Sequence, residues 1–116
     1  MTIRALVVDD EAVARRRVIR LLGERDDVRL VGECSGGLAA VDAIERLKPE
    51  LVFLDVQMPD IDGFEVLRRV EVEKLPAIVF VTAYDQYAVR AFEASAVDYL
   101  LKPYSRERYA QAMARA

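Results

Sequence analysis

Five short apolar runs alternate along the chain with stretches in which apolar residues recur at helical spacing. The runs are Ile3 to Val8, Val28 to Cys34, Leu51 to Leu54, Ala77 to Val81 and Val97 to Leu101. Rich in Val, Ile, Leu and Phe, they predict strands. Three of them are apolar almost throughout, which suits strands buried on both faces of a parallel sheet. Between the runs, Ala14, Val18, Leu21 and Leu22 share one face of a first helix, with Arg15, Arg16 and Arg20 turned away and Gly23 as the stop. A second helix carries Ala40, Ile44 and Leu47 and ends at Pro49; a third carries Val66, Leu67 and Val70 and ends before Pro76. The fourth, shorter, spans Gln86 to Glu93, and the fifth starts near Ser105, a suitable N-cap.

Strict alternation of strand and helix predicts an α/β fold of the doubly wound kind, a (βα)5 three-layer sandwich with right-handed crossovers. The common order for five such strands is the flavodoxin-like 2-1-3-4-5, and ligands then gather at the carboxyl ends, between strands one and three. At 116 residues the chain is expected to form one domain, residues 1–116. Apolar residues make up 53% and charged residues 32%, a globular rather than a disordered composition. A net charge of -3 offers no cationic surface for nucleic acid. No charged and apolar leader or membrane-length run is present, so a soluble, cytoplasmic protein with no membrane partner is expected. The single cysteine, Cys34, sits in an apolar run and is read as a core residue. Histidine is absent, which removes the commonest metal ligand, the commonest acid/base and any phosphohistidine role. A phosphoryl group on this chain must come from outside.

Polar residues close four of the apolar strands: Asp9 and Asp10 after the first, Asp55 after the third, Thr82 after the fourth and Lys102 after the fifth. In the expected strand order the three aspartates converge, Thr82 stands beside them and Lys102 reaches across from the edge. Two like charges ~4 Å apart repel by roughly 4 kcal/mol at an effective dielectric of ~20, so such a cluster needs a counter-charge. With neither histidine nor clustered cysteine to ligate zinc, an all-oxygen set suits Mg²⁺. A carboxylate can attack phosphorus to give an aspartyl phosphate, while a metal, an ammonium and a hydroxyl share the charge of the phosphoryl oxygens. Asp55 is the candidate nucleophile and phosphoacceptor. Asp10 is assigned the metal directly, Asp9 mainly through water, Thr82 a phosphoryl oxygen and Lys102 the phosphate charge.

The segments VVDDE (7–11), FLDVQMPDIDG (53–63), FVTAYDQYAVRAF (80–92) and DYLLKPY (98–104) resemble, in order and spacing, the signature segments of CheY-like response-regulator receivers. Four segments in register are far more specific than any one of them. The resemblance implies Asp55 as phosphoacceptor, an acidic pocket of Asp9, Asp10 and Asp55, and the backbone carbonyl of Gln57 as a further Mg²⁺ ligand. Thr82 and Tyr99 become the switch pair, Tyr99 turning inward as Thr82 moves towards phosphate, and Lys102–Pro103 resembles the family's cis peptide. It also implies a sensor histidine kinase as donor, docking on the first helix, and homodimerisation through helix 4, strand 5 and helix 5. TAYDQYAVRAF followed by VDYLLKPY is more particularly similar to LytR/AlgR-type receivers. A DNA-binding LytTR output domain, through which alone DNA would be contacted, is expected beyond this chain, with control of transcription as its output. In that family the positions of Gln57 and Tyr84 tune kinetics, and the bulk of Tyr84 suggests a long-lived phosphoryl group.

Each residue also has a plainer reading. Asp9-Asp10-Glu11 in isolation is a negative helix start. Asp55 resists that, because an acid ending an apolar run is seldom placed without a partner. Asp60 and Asp62-Gly63 read as turn residues before the third helix. Tyr87 and Phe92 read as packing for the fourth helix, Tyr99 equally as core or switch, and the arginines of the first helix as a solvated face. Among functions, a phosphate- or flavin-binding enzyme would need a Gly/Ser/Thr-rich loop after strand one, where Asp9-Asp10-Glu11 stands instead. A Mg²⁺-dependent phosphatase would carry a second acid where Gln57 is. A constitutive interaction module would not need the full acid, threonine and lysine set. The chain is therefore read as a switch and not as an enzyme, with chemistry limited to its own phosphorylation and dephosphorylation.

Overall fold

The computed structural model describes residues 2–116. Five parallel strands, β1 (Ile3–Val8), β2 (Val28–Cys34), β3 (Leu51–Asp55), β4 (Ala77–Thr82) and β5 (Asp98–Leu101), form one sheet in the order β2-β1-β3-β4-β5. This is the order expected. Alternate residues of each strand serve opposite faces. Ala5, Val7, Leu51, Phe53, Val79, Val81 and Leu100 pack with Val18, Leu21 and Leu22 of α1 (Ala12–Gly23) and with Tyr109, Ala112 and Met113 of α5 (Arg106–Arg115). Leu6, Val8, Val52, Leu54, Ile78 and Phe80 face α2 (Gly37–Leu47), α3 (Gly63–Arg69) and α4 (Ala88–Glu93). Both faces of the central strands are thus covered, which explains why these strands read as continuous apolar runs rather than alternating ones. Fully burying side chains such as Phe53 and Phe80 contributes about 1.5–3 kcal/mol each.

Helix boundaries follow local chemistry, with some departures from the expected ones. α2 stops at Leu47, where Lys48 takes the left-handed conformation (φ 49°) just before Pro49. Ser105 accepts a hydrogen bond from the Arg108 amide at 3.0 Å and starts α5 as expected. The third helix ends earlier than its periodicity suggests: Val70 is an extended C-cap that still packs against the core. The fourth begins as a 3-10 turn, Asp85–Tyr87, before α4 proper. Tyr87 packs on the core, but Phe92 is 85% exposed, so its expected packing role is not met; the space over Phe64 is taken by the Arg90 guanidinium, 4.2 Å from the ring.

Asp60 and Asp62 are more than turn residues. The Asp62 carboxylate accepts from the Glu65 amide and caps α3. Asp60 reaches sideways to accept from the amides of Gly37 and Leu38, both at 2.9 Å, capping α2 from another loop. Those amide hydrogen bonds draw its acid down to about 2. The approach demands glycine: a Cβ at Gly37 would lie 2.5 Å from Ile61 Cγ1 and 2.6 Å from the Ile61 carbonyl oxygen. Gly37→Ala is therefore expected to lower stability by about 1–3 kcal/mol, read from urea denaturation midpoints.

Candidate functional site

The register that pairs Val8 with Leu54 carries β1 and β3 out of the sheet side by side, and the next residue of each strand is Asp9 and Asp55. Both are almost wholly buried, at 3% and 4% exposure, while Asp10 is exposed. Asp9, Asp10 and Asp55 each offer a carboxylate oxygen within 4.8 Å of the others. The convergence expected from the sequence is thus present. Asp9 Oδ1 accepts from the Glu11 amide at 2.9 Å and so fixes the β1–α1 turn. Neither Asp9 nor Glu11 caps α1, contrary to the plainer reading of the acidic run.

Lys102, following β5, does reach across. Its Nζ lies 2.8 Å from Asp9 Oδ2, 2.8 Å from Glu11 Oε1 and 3.9 Å from Asp55 Oδ2. The Lys102–Pro103 peptide is cis, as the resemblance implied. Burial works against the lysine's charge, yet hydrogen bonds to Asp9 and Glu11 and the pull of Asp55 raise it to about 12. Asp55 is pushed the other way for an acid, up to about 8, by burial first and then by the neighbouring Asp9; Lys102 only partly offsets this.

Thr82 is fully buried at the end of β4, one residue past the partner of Asp55, and its Oγ1 accepts from the Tyr84 amide at 3.3 Å. The Tyr99 hydroxyl donates to the Tyr84 carbonyl and the half-buried ring packs on the α4 side of the sheet. One residue, Tyr84, therefore touches both members of the expected switch pair. Gln57 stands on the loop after β3, its side-chain amide donating to the Tyr87 hydroxyl at 2.6 Å. Beside Asp10 a cavity of about 500 Å³ opens to solvent between Gln57, Met58, Tyr87 and Arg90.

Two contributors escaped the sequence reading. Glu11 binds Lys102 from outside the acidic cluster. Arg15, expected on a solvated face, instead turns back, donating to the Asp9 carbonyl at 2.8 Å and to Glu33 at 3.1 Å. The charged faces of α1 gave no signal that one arginine would brace the β1–α1 turn.

The donor set fits a hard divalent cation: it is all oxygen, its buried acid is uncomfortable unneutralised, and one side is open to water. The fold is that of doubly wound α/β domains, whose ligands gather at the carboxyl edge of the sheet, where this acidic pocket lies. Residues 5–114 match the response regulator receiver domain, and the chain belongs to that family. A response regulatory protein of Yersinia pestis is 50% identical over 113 residues, covering 97% of this chain and 48% of that protein. The transcriptional regulatory protein BtsR of Escherichia coli K12 is 45% identical, covering 97% of this chain and 47% of that protein. The chain spans about half the length of the curated relatives it matches. The crystal structure of the response regulatory domain of mrkE from Klebsiella pneumoniae superposes with a TM-score of 0.87 at 32% identity, covering 97% of this chain and 93% of that one. No helix among the described residues is long and apolar enough to cross a membrane.

The raised Asp55 acid has a consequence for metal-free protein. The unfolded side chain loses its proton near 3.8 and the folded one at about 8, so the native state holds the extra proton between them. Stability then falls as pH rises through that window. Asp55→Asn, which cannot ionise, is expected to gain on the parent by about 1–3 kcal/mol between pH 5 and pH 8 in chelator-treated protein, followed by urea denaturation.

Proposed function

We propose that this receiver domain is a phosphorylation switch in which a sensor histidine kinase transfers a phosphoryl group to Asp55 with Mg²⁺ bound. The observation that carries the reading is the meeting of Asp9, Asp10 and Asp55 within 4.8 Å, with the Lys102 ammonium on their inner side. In this reading Asp10, Asp55 and the Gln57 carbonyl hold the metal directly and Asp9 mainly through water. Bound Mg²⁺ supplies charge neutralisation of the carboxylates and of the incoming phosphoryl oxygens. The Asp55 carboxylate, aimed out of a fully buried strand, is held for attack. Lys102 pairs with the phosphoryl charge, and Thr82 turns its hydroxyl from the Tyr84 amide towards a phosphoryl oxygen.

That turn is felt at Tyr99 through Tyr84, and phosphorylation shifts a pre-existing equilibrium of the α4–β5–α5 surface. Val89, Phe92 and Leu101 are exposed there and support homodimerisation through that surface. Relatives about twice as long, one of them named a transcriptional regulator, support a further output domain in the whole protein. A DNA-binding LytTR domain controlling transcription is the output we propose, in a cytoplasmic protein. Catalysis in this reading is confined to the domain's own phosphorylation and dephosphorylation; it is not an enzyme with a separate substrate.

Intact mass after incubation with acetyl phosphate tests the reading. A Mg²⁺-dependent gain of one phosphoryl group, absent in Asp55→Asn, is expected; no gain in the parent with or without Mg²⁺ would leave a phosphorylation-independent interaction module. Tyr84 is 44% exposed, its ring 6.3 Å from that of Tyr87, which lines the cavity beside Asp10, and in this reading its bulk screens the phosphoryl group from water. Tyr84→Ala is expected to shorten the lifetime of the aspartyl phosphate severalfold, measured by loss of the added mass after donor removal.

A further inference from the structure

Glu11 is the acid of this region that has no assigned work. It occupies the N-cap position of α1 with an extended backbone, yet its side chain caps no amide of that helix. Its carboxylate turns instead to Lys102, 91 residues away, at 2.8 Å. The lysine is thereby shared between two carboxylates at the same distance, Asp9 inside the pocket and Glu11 outside it, while the phosphoacceptor Asp55 stands farther off at 3.9 Å. Glu11 is 64% exposed in its side chain and Lys102 only 16%, so the restraint is pinned from the solvent side.

We infer that Glu11 is a positioning residue that restrains Lys102 and so slows arrival of the phosphoryl group at Asp55. This rests on the phosphoacceptor reading above. In transfer from acetyl phosphate, a carboxylate oxygen of Asp55 forms the new O–P bond. The P–O bond to acetate breaks with its electron pair, and no redox partner is needed. The three equatorial oxygens carry negative charge that Lys102 must move to meet. While Glu11 holds the ammonium, that movement costs one ion pair. An exposed pair of this kind is weak enough to yield yet strong enough to be felt in the rate.

Glu11→Gln keeps the shape of the side chain and removes the ion pair. At saturating Mg²⁺ we expect its rate of phosphorylation by acetyl phosphate, and its affinity for beryllofluoride as a phosphoryl mimic, to rise by about two- to fivefold. Calorimetry with Mg²⁺ alone should show no gain in metal affinity, since an acid near the site has been removed. Asp85→Asn, the same loss of charge at an exposed acid that is not a Lys102 partner, should leave both readouts at the parent value. A Glu11→Gln rate equal to or below the parent's would overturn the inference while leaving the switch intact. So would an equal rise in Asp85→Asn, which would make the effect one of bulk charge, or an equal rise in Mg²⁺ affinity, which would place it at the metal. A parent that takes up no phosphoryl group would remove the function and this inference together.

Discussion

The β1–β3 register forces two carboxylates together out of water. Pairing Val8 with Leu54 buries both in the core on the α2–α4 side, and shifting either strand by one residue would exchange the side chains of two differently shaped apolar layers and break their packing. With that register fixed, Asp9 and Asp55 must emerge as neighbours, nearly unexposed, at the crevice where the strand order reverses. Nothing in the core's own energetics tolerates this, because desolvation and mutual repulsion both disfavour the charged forms. The remainder of the carboxyl edge is organised around that stress. Lys102 comes from beyond β4 to sit against Asp9, and the all-oxygen geometry leaves the remaining charge to a cation.

In the function proposed above, the same stress is what makes the site responsive. A group that satisfies the acids alters the balance of Lys102 among its three carboxylate partners, and Lys102 is joined to the end of β5. That strand is tied firmly to α5: both Asp98 oxygens receive bonds from Arg108, which also donates to the Tyr99 carbonyl. Burial opposes the charge on Asp98, but the Arg108 contacts still hold its acid below the ordinary range. Tyr99 lies on the strand so braced, and its hydroxyl is bonded to the carbonyl of the residue whose amide meets Thr82. A hydroxyl, a peptide unit and a phenol thus form one continuous path from the pocket to the α4–β5 surface, of the kind through which a local charge change selects between packings.

Much of this was legible in the sequence, for a definable reason. Strand ends and the strand order follow from hydrophobic runs and from the rule that parallel crossovers cover both faces, so Asp9, Asp10, Asp55, Thr82 and Lys102 could be placed at one edge without coordinates. The residues that escaped are those whose role depends on a long-range partner. Asp60 looks like any turn aspartate until α2 is seen to begin 2.9 Å from its carboxylate. Arg15 belongs to the polar face of α1 by periodicity, but the β1–α1 turn folds an acceptor into its reach. Phe92 carries the hydrophobicity of a core residue yet is exposed, and it is Arg90 that covers Phe64. Val70 keeps the helical spacing but not the helix, since burial can be met by an extended residue as well.

The two walls of the pocket differ in kind. On the β3–α3 side, a Cβ at Gly63 would lie 2.5 Å from the Asp55 carbonyl oxygen, Gly63 donates to the Val56 carbonyl, and Asp60 clamps the loop to α2. Backbone packed so closely has no neighbouring conformation to relax into, so the loop that carries Gln57 is held in place before any ligand arrives. On the β1–α1 and β5–α5 side, Asp10 is exposed and the Lys102–Glu11 pair faces solvent, so that pair exchanges at small cost while the buried Lys102–Asp9 pair does not. Under the function proposed above, a rigid wall would fix where the phosphoryl oxygens lie, and a compliant wall would let charge rearrange around them. In that reading the glycine lies against the residue that must stay fixed, and the exchangeable Glu11–Lys102 pair lies across from it.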